Sequence, residues 1–368
     1  MKTNKTKLIF FFVALLIAGS CSEDYLVVEQ KNALLDVKYE NMEGLRKYEN
    51  GMFAINRSPY DYFYTCYGSA LTTEYFFHYT GGEGQTIREW SDLNPKPTNE
   101  FAGFLYGTFY NTIRMANIIL ELEASKKGDI ADADPDELNR IVGTAHFMRA
   151  LCHFQLMVWW GKSFEPDDKW GIVIQTKPVV DRKDFQIARS KPSEVYAQII
   201  SDFQKAKELL PLESELPTSM LGHPTRGAAT AFLGKMYLTR KNYTAAKTEF
   251  EEFFAENPSK KLLSYFGDNF HGMYENGIES IFEIQNSDVI VLPETWGGGA
   301  GRPYQAFLGP PTLGRGNVNI PLVFMERYEK NDFRKIETAF SRDIDTLYKP
   351  DGTMVIHIDS TTLSGSTK

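Results

Sequence analysis

The chain has 368 residues, 42% hydrophobic and 24% charged, with a formal net charge of −8. That length supports a sizeable core as one large or two smaller domains. A pI near 5.4 argues against nucleic acid as a partner, because a phosphate backbone selects basic faces.

The first twenty residues read as a leader. Lys2, Lys5 and Lys7 precede an apolar run from Leu8 to Ala18. The run is shorter than the ~20 residues that cross a bilayer and suits a signal-peptide core. Ala18, Gly19 and Ser20 are small enough for the cleft of a lipoprotein signal peptidase, although Ala18 stands where leucine is usual. Cys21 supplies the thiol that takes a diacylglycerol. The alternative is an ordinary secretory leader with an incidental cysteine. Cleavage after residue 20 removes three lysines and moves the net charge from −8 to about −11. Each buried CH₂ contributes roughly 0.8 kcal/mol, so two or three acyl chains hold a protein on a membrane without a spanning segment. No later apolar stretch is long enough to span.

The other cysteines, Cys66 and Cys152, could pair in an oxidising envelope or stand as two buried thiols; two cysteines make no disulfide framework.

Helical periodicity dominates the next two hundred residues. A helix is predicted over roughly 100–123, with Phe104, Phe109, Ile113, Ala116 and Leu120 inward. Asp134, Pro135 and Glu137 place a cap, a first-turn proline and the acid of a capping box. The helix behind them carries Leu138, Ile141, Ala145, Met148 and Cys152 as a stripe and stops at Gly161. A third starts near Pro192, buries Val195, Ile199, Phe203 and Ala206, and ends at Leu210 and Pro211. Leu233, Gly234, Tyr237, Ala246, Phe250 and Pro258 then sit at the spacings of a tetratricopeptide repeat, with Thr230 in the place of its tryptophan. One such hairpin cannot bury both its faces, so the other helix pairs are expected to stack on it. After Pro258 the pattern changes: residues 279–285 alternate around Ile281, a glycine-rich loop covers 296–301, and Met354 to Ile358 reads as a strand after a turn at Pro350, Asp351 and Gly352.

The chain resembles the SusD/RagB family of Bacteroidetes outer-membrane lipoproteins over essentially its whole length. The segments that carry the resemblance run from Cys21 to Leu26, Phe109 to Asn117, Ala145 to Gly161, Pro192 to Asp202, Thr225 to Ala231 and Tyr328 to Arg334. Glu23 and Asp24, directly after Cys21, are similar to the export tag that sends such lipoproteins to the outer face of the outer membrane. The resemblance implies a mainly α fold: an α-superhelical body of tetratricopeptide-like hairpins over residues 21–260, then an irregular, mixed α/β, ligand-facing region over 261–368. It implies glycan binding, or peptide binding as in the RagB branch, and a SusC-like TonB-dependent transporter as partner. It also implies a longer chain, since family members continue past the Tyr328 to Arg334 segment into a helix completing the scaffold.

The residues themselves point to binding more than to catalysis. Sugars present flat C–H faces on which aromatic rings stack, and 14% of the chain is aromatic. Loop aromatics are the candidates, because those on helical stripes serve the core: Trp90 between Gly82 and Pro95, Trp296 at the triple glycine, Tyr304 after Pro303, and Tyr75 and Tyr79 just before Gly81. Trp159 and Trp160 end a helix and read as packing. Catalytic and cofactor signatures fail individually. Gly161, Lys162 and Ser163 mimic the end of a phosphate-binding loop, but Leu156 occupies the position of its first glycine. Arg302 stands where a dinucleotide loop needs its third glycine. His146 and His153 lie two turns apart on one helix, too far for one zinc without other ligands. No cofactor or metal is implied. A surface glycosidase stays an alternative, because 48 carboxylates leave room for a pair at the roughly 5–10 Å that hydrolysis needs. A purely protein-binding scaffold is another.

Overall fold

The computed structural model describes residues 41–58, 76–77, 82–125, 130, 132–162, 170–179, 186–270 and 274–285, with short pieces at 318–319, 324, 326–329, 332, 334, 346–348 and 354–357. All of these belong to the unit spanning residues 40–368. Cys21, Cys66 and the glycine-rich loop 296–301 lie outside the described residues.

Seven α-helices make up most of what is described: α1 (Met42–Ser58), α2 (Gly82–Ser91), α3 (Glu100–Ser125), α4 (Pro135–Trp160), α5 (Pro192–Leu209), α6 (Arg226–Thr239) and α7 (Tyr243–Glu256). From α4 onward each packs on the helix before it, and α1 lies against α3. Helix α4 is the centre of this stack. Of the expected stripe, Ile141, Ala145, Met148 and Cys152 are buried and Leu138 is half-buried, but nearly every residue from Arg140 to Met157 is buried as well, because neighbours cover α4 on several sides. Cys152 is a free, buried thiol.

The start of α4 differs from expectation in one respect. Asp134 caps the helix by accepting from the Asp136 amide (3.1 Å), and Pro135 occupies the first turn. Glu137, however, does not reach back to the cap; it takes a bidentate pair with Arg46 on α1 (2.7 and 2.6 Å). A second shift concerns α3. Phe104 is 40% exposed and Leu120 only half-buried, because Leu105 and Ile119, one position away, take the inward places.

Helices α6 and α7 form the antiparallel hairpin that the repeat spacing predicts. Thr225 and Asn242 cap them, accepting from Ala228 N (3.2 Å) and Ala245 N (3.3 Å). The glycine of the repeat acts through contact rather than backbone freedom: a Cβ on Gly234 would lie 2.6 Å from the Phe250 ring. Overpacking of this kind costs about 1–3 kcal/mol. Gly234→Val is therefore expected to lower the unfolding free energy by that amount, read as a lower urea midpoint, and a midpoint equal to wild type would show that the helices can separate freely.

The core of the stack is aromatic. Phe147 of α4, Phe203 of α5 and Phe232 of α6 have ring centroids 5.3–5.5 Å apart, and Phe282 closes on Phe147 at 5.0 Å. Residues 279–285 thus lie over the bundle and have no strand partner among the described residues, so their alternation reflects one side packed on helices rather than a ladder. Among the described residues the strands are short: β1 (Phe76–Phe77) pairs antiparallel with β2 (Val318–Asn319), and β3 (Thr346–Tyr348) with β4 (Met354–His357). The strand predicted at Met354 is β4.

Candidate functional site

Trp90 is not a loop platform. It lies on α2, 6% exposed, packed with Ile87 and Phe101, and its ring meets Trp159 edge-on at 5.7 Å. Its indole nitrogen donates to Asn99 Oδ1 (3.2 Å). Asn99 is itself a buried hub, since the same oxygen accepts from Ala102 N at the start of α3 and its amide donates to Thr86 O and Glu89 Oε2. A ring held on this many sides offers no face to a ligand. Tyr75, Tyr79, Trp296 and Tyr304 lie outside the described residues.

The described surface does carry aromatics, at the corner where α3 begins and α4 ends. Trp159 turns inward to Trp90, whereas Trp160 meets Tyr106 of α3 edge-on at 5.3 Å. Tyr106 lies 4.7 Å from Tyr110, one turn on. Residues 170–177 run along this side of α3. Tyr110 Oη donates to Val173 O (2.9 Å), and Asn117 Nδ2 donates to Gln175 O and Lys177 O (3.1 Å each). Burial pushes the Tyr110 phenol well above its ordinary range, which keeps it a neutral donor. The segment enters through Lys162 N donating to Trp170 O (2.8 Å), and Ser190 N donates to Ile172 O (2.8 Å). Gly171 permits that approach, because a Cβ there would collide with the Ser190 carbonyl oxygen. Arg189 joins the pieces: Nε donates to Gly171 O (2.7 Å), Nη2 donates to Trp160 O, and the guanidinium lies 5.8 Å from the Trp170 ring centre.

A second feature is an open cavity of about 680 Å³ between the α6–α7 hairpin and residues 263–283. Phe232, Phe250, Ile281 and Phe282 contribute its apolar lining. Two of its acids are engaged: Glu279 accepts from Leu263 N (2.7 Å) and Glu283 from Asn276 N (2.9 Å).

The buried charges serve structure. Arg149 of α4 grips Asp202 of α5 through Nε (2.9 Å) and Nη2 (2.5 Å), and its Nη1 donates to Asn117 Oδ1 (2.8 Å). His146 Nδ1 and Gln198 Nε2 complete the carboxylate's partners (2.8 and 3.0 Å). Burial alone would raise the Asp202 carboxyl, but the hydrogen bonds from His146 and Arg149 and the arginine charge outweigh it and hold it at about 2. Arg140 binds Glu49 of α1 in the same bidentate way (2.6 and 3.0 Å), with His223 Nδ1 3.1 Å from its Nη1. His146 and His153 do not converge: one serves Asp202, while Nε2 of the other accepts from Gln175 N (3.3 Å). Among the described residues no group of three His, Cys, Asp or Glu side chains could hold a metal ion.

This stacked-hairpin architecture has relatives. A SusD-like family model, described as "Starch-binding associating with outer membrane", matches residues 24–238. The chain belongs to the SusD-like family. SusD-like protein P2 of Formosa agariphila is 26% identical over 138 residues, which is 38% of this chain and 25% of that one. A SusD superfamily protein from Bacteroides thetaiotaomicron superposes with a TM-score of 0.65 at 24% identity, covering 78% of this chain and 61% of that one. Surface glycan-binding protein A from the same organism, in complex with laminarihexaose, gives 0.63 at 16% identity, covering 80% and 62%. At these identities the superpositions establish the fold. The chain therefore spans about 60% of the length of these two solved structures and a quarter of the curated relative.

Proposed function

We propose that this SusD-like chain is a lipoprotein of the outer cell surface that binds oligo- or polysaccharide and passes it to a SusC-like TonB-dependent transporter, without chemistry of its own. The observation that carries this reading is the family match over residues 24–238, whose description joins starch binding to the outer membrane. The laminarihexaose held by a protein of the same fold supports it. Cys21, after its lysine-flanked apolar leader, is the acylated anchor. Trp296, Tyr304, Tyr75 and Tyr79 provide stacking faces around the ligand. An aromatic contact contributes on the order of 0.5–1.5 kcal/mol beyond area burial, so two or three with a few hydrogen bonds give affinities of roughly micromolar to millimolar. Display beside the transporter raises the effective concentration enough for such affinities to serve.

Affinity electrophoresis through gels containing laminarin, amylopectin, xylan or polygalacturonate tests the reading. Retardation by at least one polysaccharide, without release of reducing sugar, is expected. No retardation on any of them would favour a peptide ligand, and sugar release would mark an enzyme.

A further inference from the structure

We propose that the corner formed by Tyr106, Trp160, Trp170 and Arg189 is a second sugar-binding surface, one that stacks a pyranose ring of a bound polysaccharide outside the loop aromatics named above. It rests on the carbohydrate-binding reading but on different residues.

Trp170 is 44% exposed and Tyr106 38%, on a chain whose other described tryptophans are buried or half-buried. Scattered exposed apolar residues are ordinary, but these are joined to one another through Trp160 and Arg189. Tyr106 contacts Trp160 ring to ring, Arg189 donates to the Trp160 carbonyl, and the same guanidinium lies over Trp170. The result is an apolar surface with a cation fixed in its middle. Sugars need that pairing, since their C–H faces stack on rings while their rim hydroxyls require hydrogen bonds.

Arg189 is built for the polar half. A guanidinium has five N–H donors in a rigid fork. Two are spent on the carbonyls of Gly171 and Trp160, which fix its plane without neutralising its charge. Among the described residues no carboxylate lies within ion-pair distance of it. Its remaining donors suit a hydroxyl or ring oxygen at the edge of a stacked pyranose.

The corner is also rigid in advance. Tyr106 sits in the second turn of α3, Trp160 is the last residue of α4, and Trp170 is tied to the end of that helix through its carbonyl. Rings already held in place lose little freedom on binding, which is the main saving available to a weak ligand site. The cavity beside the hairpin offers a recess lined by core aromatics, whereas this corner offers exposed ring surface.

The test uses the same polysaccharide gels with Trp170→Ala, Tyr106→Ala and Trp170→Phe. On any glycan that retards the wild type, each alanine variant is expected to bind about tenfold more weakly, and Trp170→Phe to recover part of the loss. Circular dichroism and melting temperature should stay at wild-type values, because both side chains are substantially exposed. If the wild type is retarded and both alanine variants are retarded equally, the second surface is wrong while carbohydrate binding stands. If Trp170→Phe binds no better than Trp170→Ala, stacking is not what the ring supplies and the proposal also fails. A wild type retarded by no glycan overturns both readings.

Discussion

Arg149→Met is expected to destabilise the protein by about 3–5 kcal/mol, the cost of removing one partner from a buried ion pair. The variant leaves the Asp202 carboxylate, nearly inaccessible to solvent, with only His146 and Gln198 as hydrogen-bond partners. It also removes the donor to Asn117 Oδ1, and Asn117 is the residue whose amide holds residues 175 and 177 against α3. One side chain thus joins α3, α4, α5 and the segment leading into the aromatic corner. Arg149→Lys is not a conservative rescue, because a single ammonium cannot make the bidentate contact and reach Asn117 in the same geometry. The double variant Arg149→Met, Asp202→Leu should be less destabilised than the sum of its singles, since no buried charge is then left without its partner. Urea unfolding of the set measures this. An Arg149→Met unfolding free energy within ~1 kcal/mol of wild type would show that the pair adds little, as surface pairs do.

Acid is expected to destabilise the protein in two successive windows. Burial is the main cause that lowers the His153 imidazole from its ordinary 6.5 to about 4, and its Nε2 accepts the Gln175 amide only while the ring is neutral. The unfolded chain therefore takes up a proton between these values and the folded chain does not. Stability is full above about 6.5 and falls with pH at roughly 1.4 kcal/mol per unit until about 4, a loss of about 3 kcal/mol. Asp202 then acts in the same direction at lower pH. Its folded value of about 2 lies below the ordinary 3.8, so its contribution persists above 3.8 and is lost as pH falls toward 2. His153→Gln keeps an acceptor for Gln175 but does not titrate. Its urea midpoints between pH 6.5 and 4.5 should be flatter by about one proton's slope, and curves parallel to wild type would remove His153 as the cause.

Sequence patterning is a good guide where capping residues or repeat spacing mark a helix. The starts and ends of α4 and α5 and the whole α6–α7 hairpin lie where capping residues and repeat spacing put them. It failed where buried positions are polar. Helix α1 went unread because its inward row, Met42, Leu45, Glu49, Met52 and Asn56, is broken by an acid and an amide. Both have partners on α4: Glu49 binds Arg140, and Asn56 accepts from the Cys152 thiol. Those partners lie 91 and 96 residues away, so nothing local announces them. Arg149 and Asp202 are likewise 53 apart.

Trp90 departs from its expected loop for a related reason. Glycine before it and proline after it suggest a loop, yet Gly82 begins a helix, and Ile87 and Trp90 at helical spacing reach Phe101. That spacing was visible in the sequence; the Asn99 acceptor that admits an indole to the core was not. The aromatic corner was hidden by distance, since Trp160, Trp170 and Arg189 meet only because residues 162 and 190 turn back onto the 170–172 segment. Tyr106 arrives from a different helix altogether.

The proposed function requires the protein to hold sugar at the cell exterior through an acyl group on Cys21. Binding of a fluorescent polysaccharide to intact cells, counted with the wild-type protein, with Cys21→Ala and with neither, tests it most directly. Label is expected on cells carrying the wild-type protein and background on the other two. Equal labelling of wild-type cells and cells lacking the protein, with the protein shown to be folded and present, would contradict it.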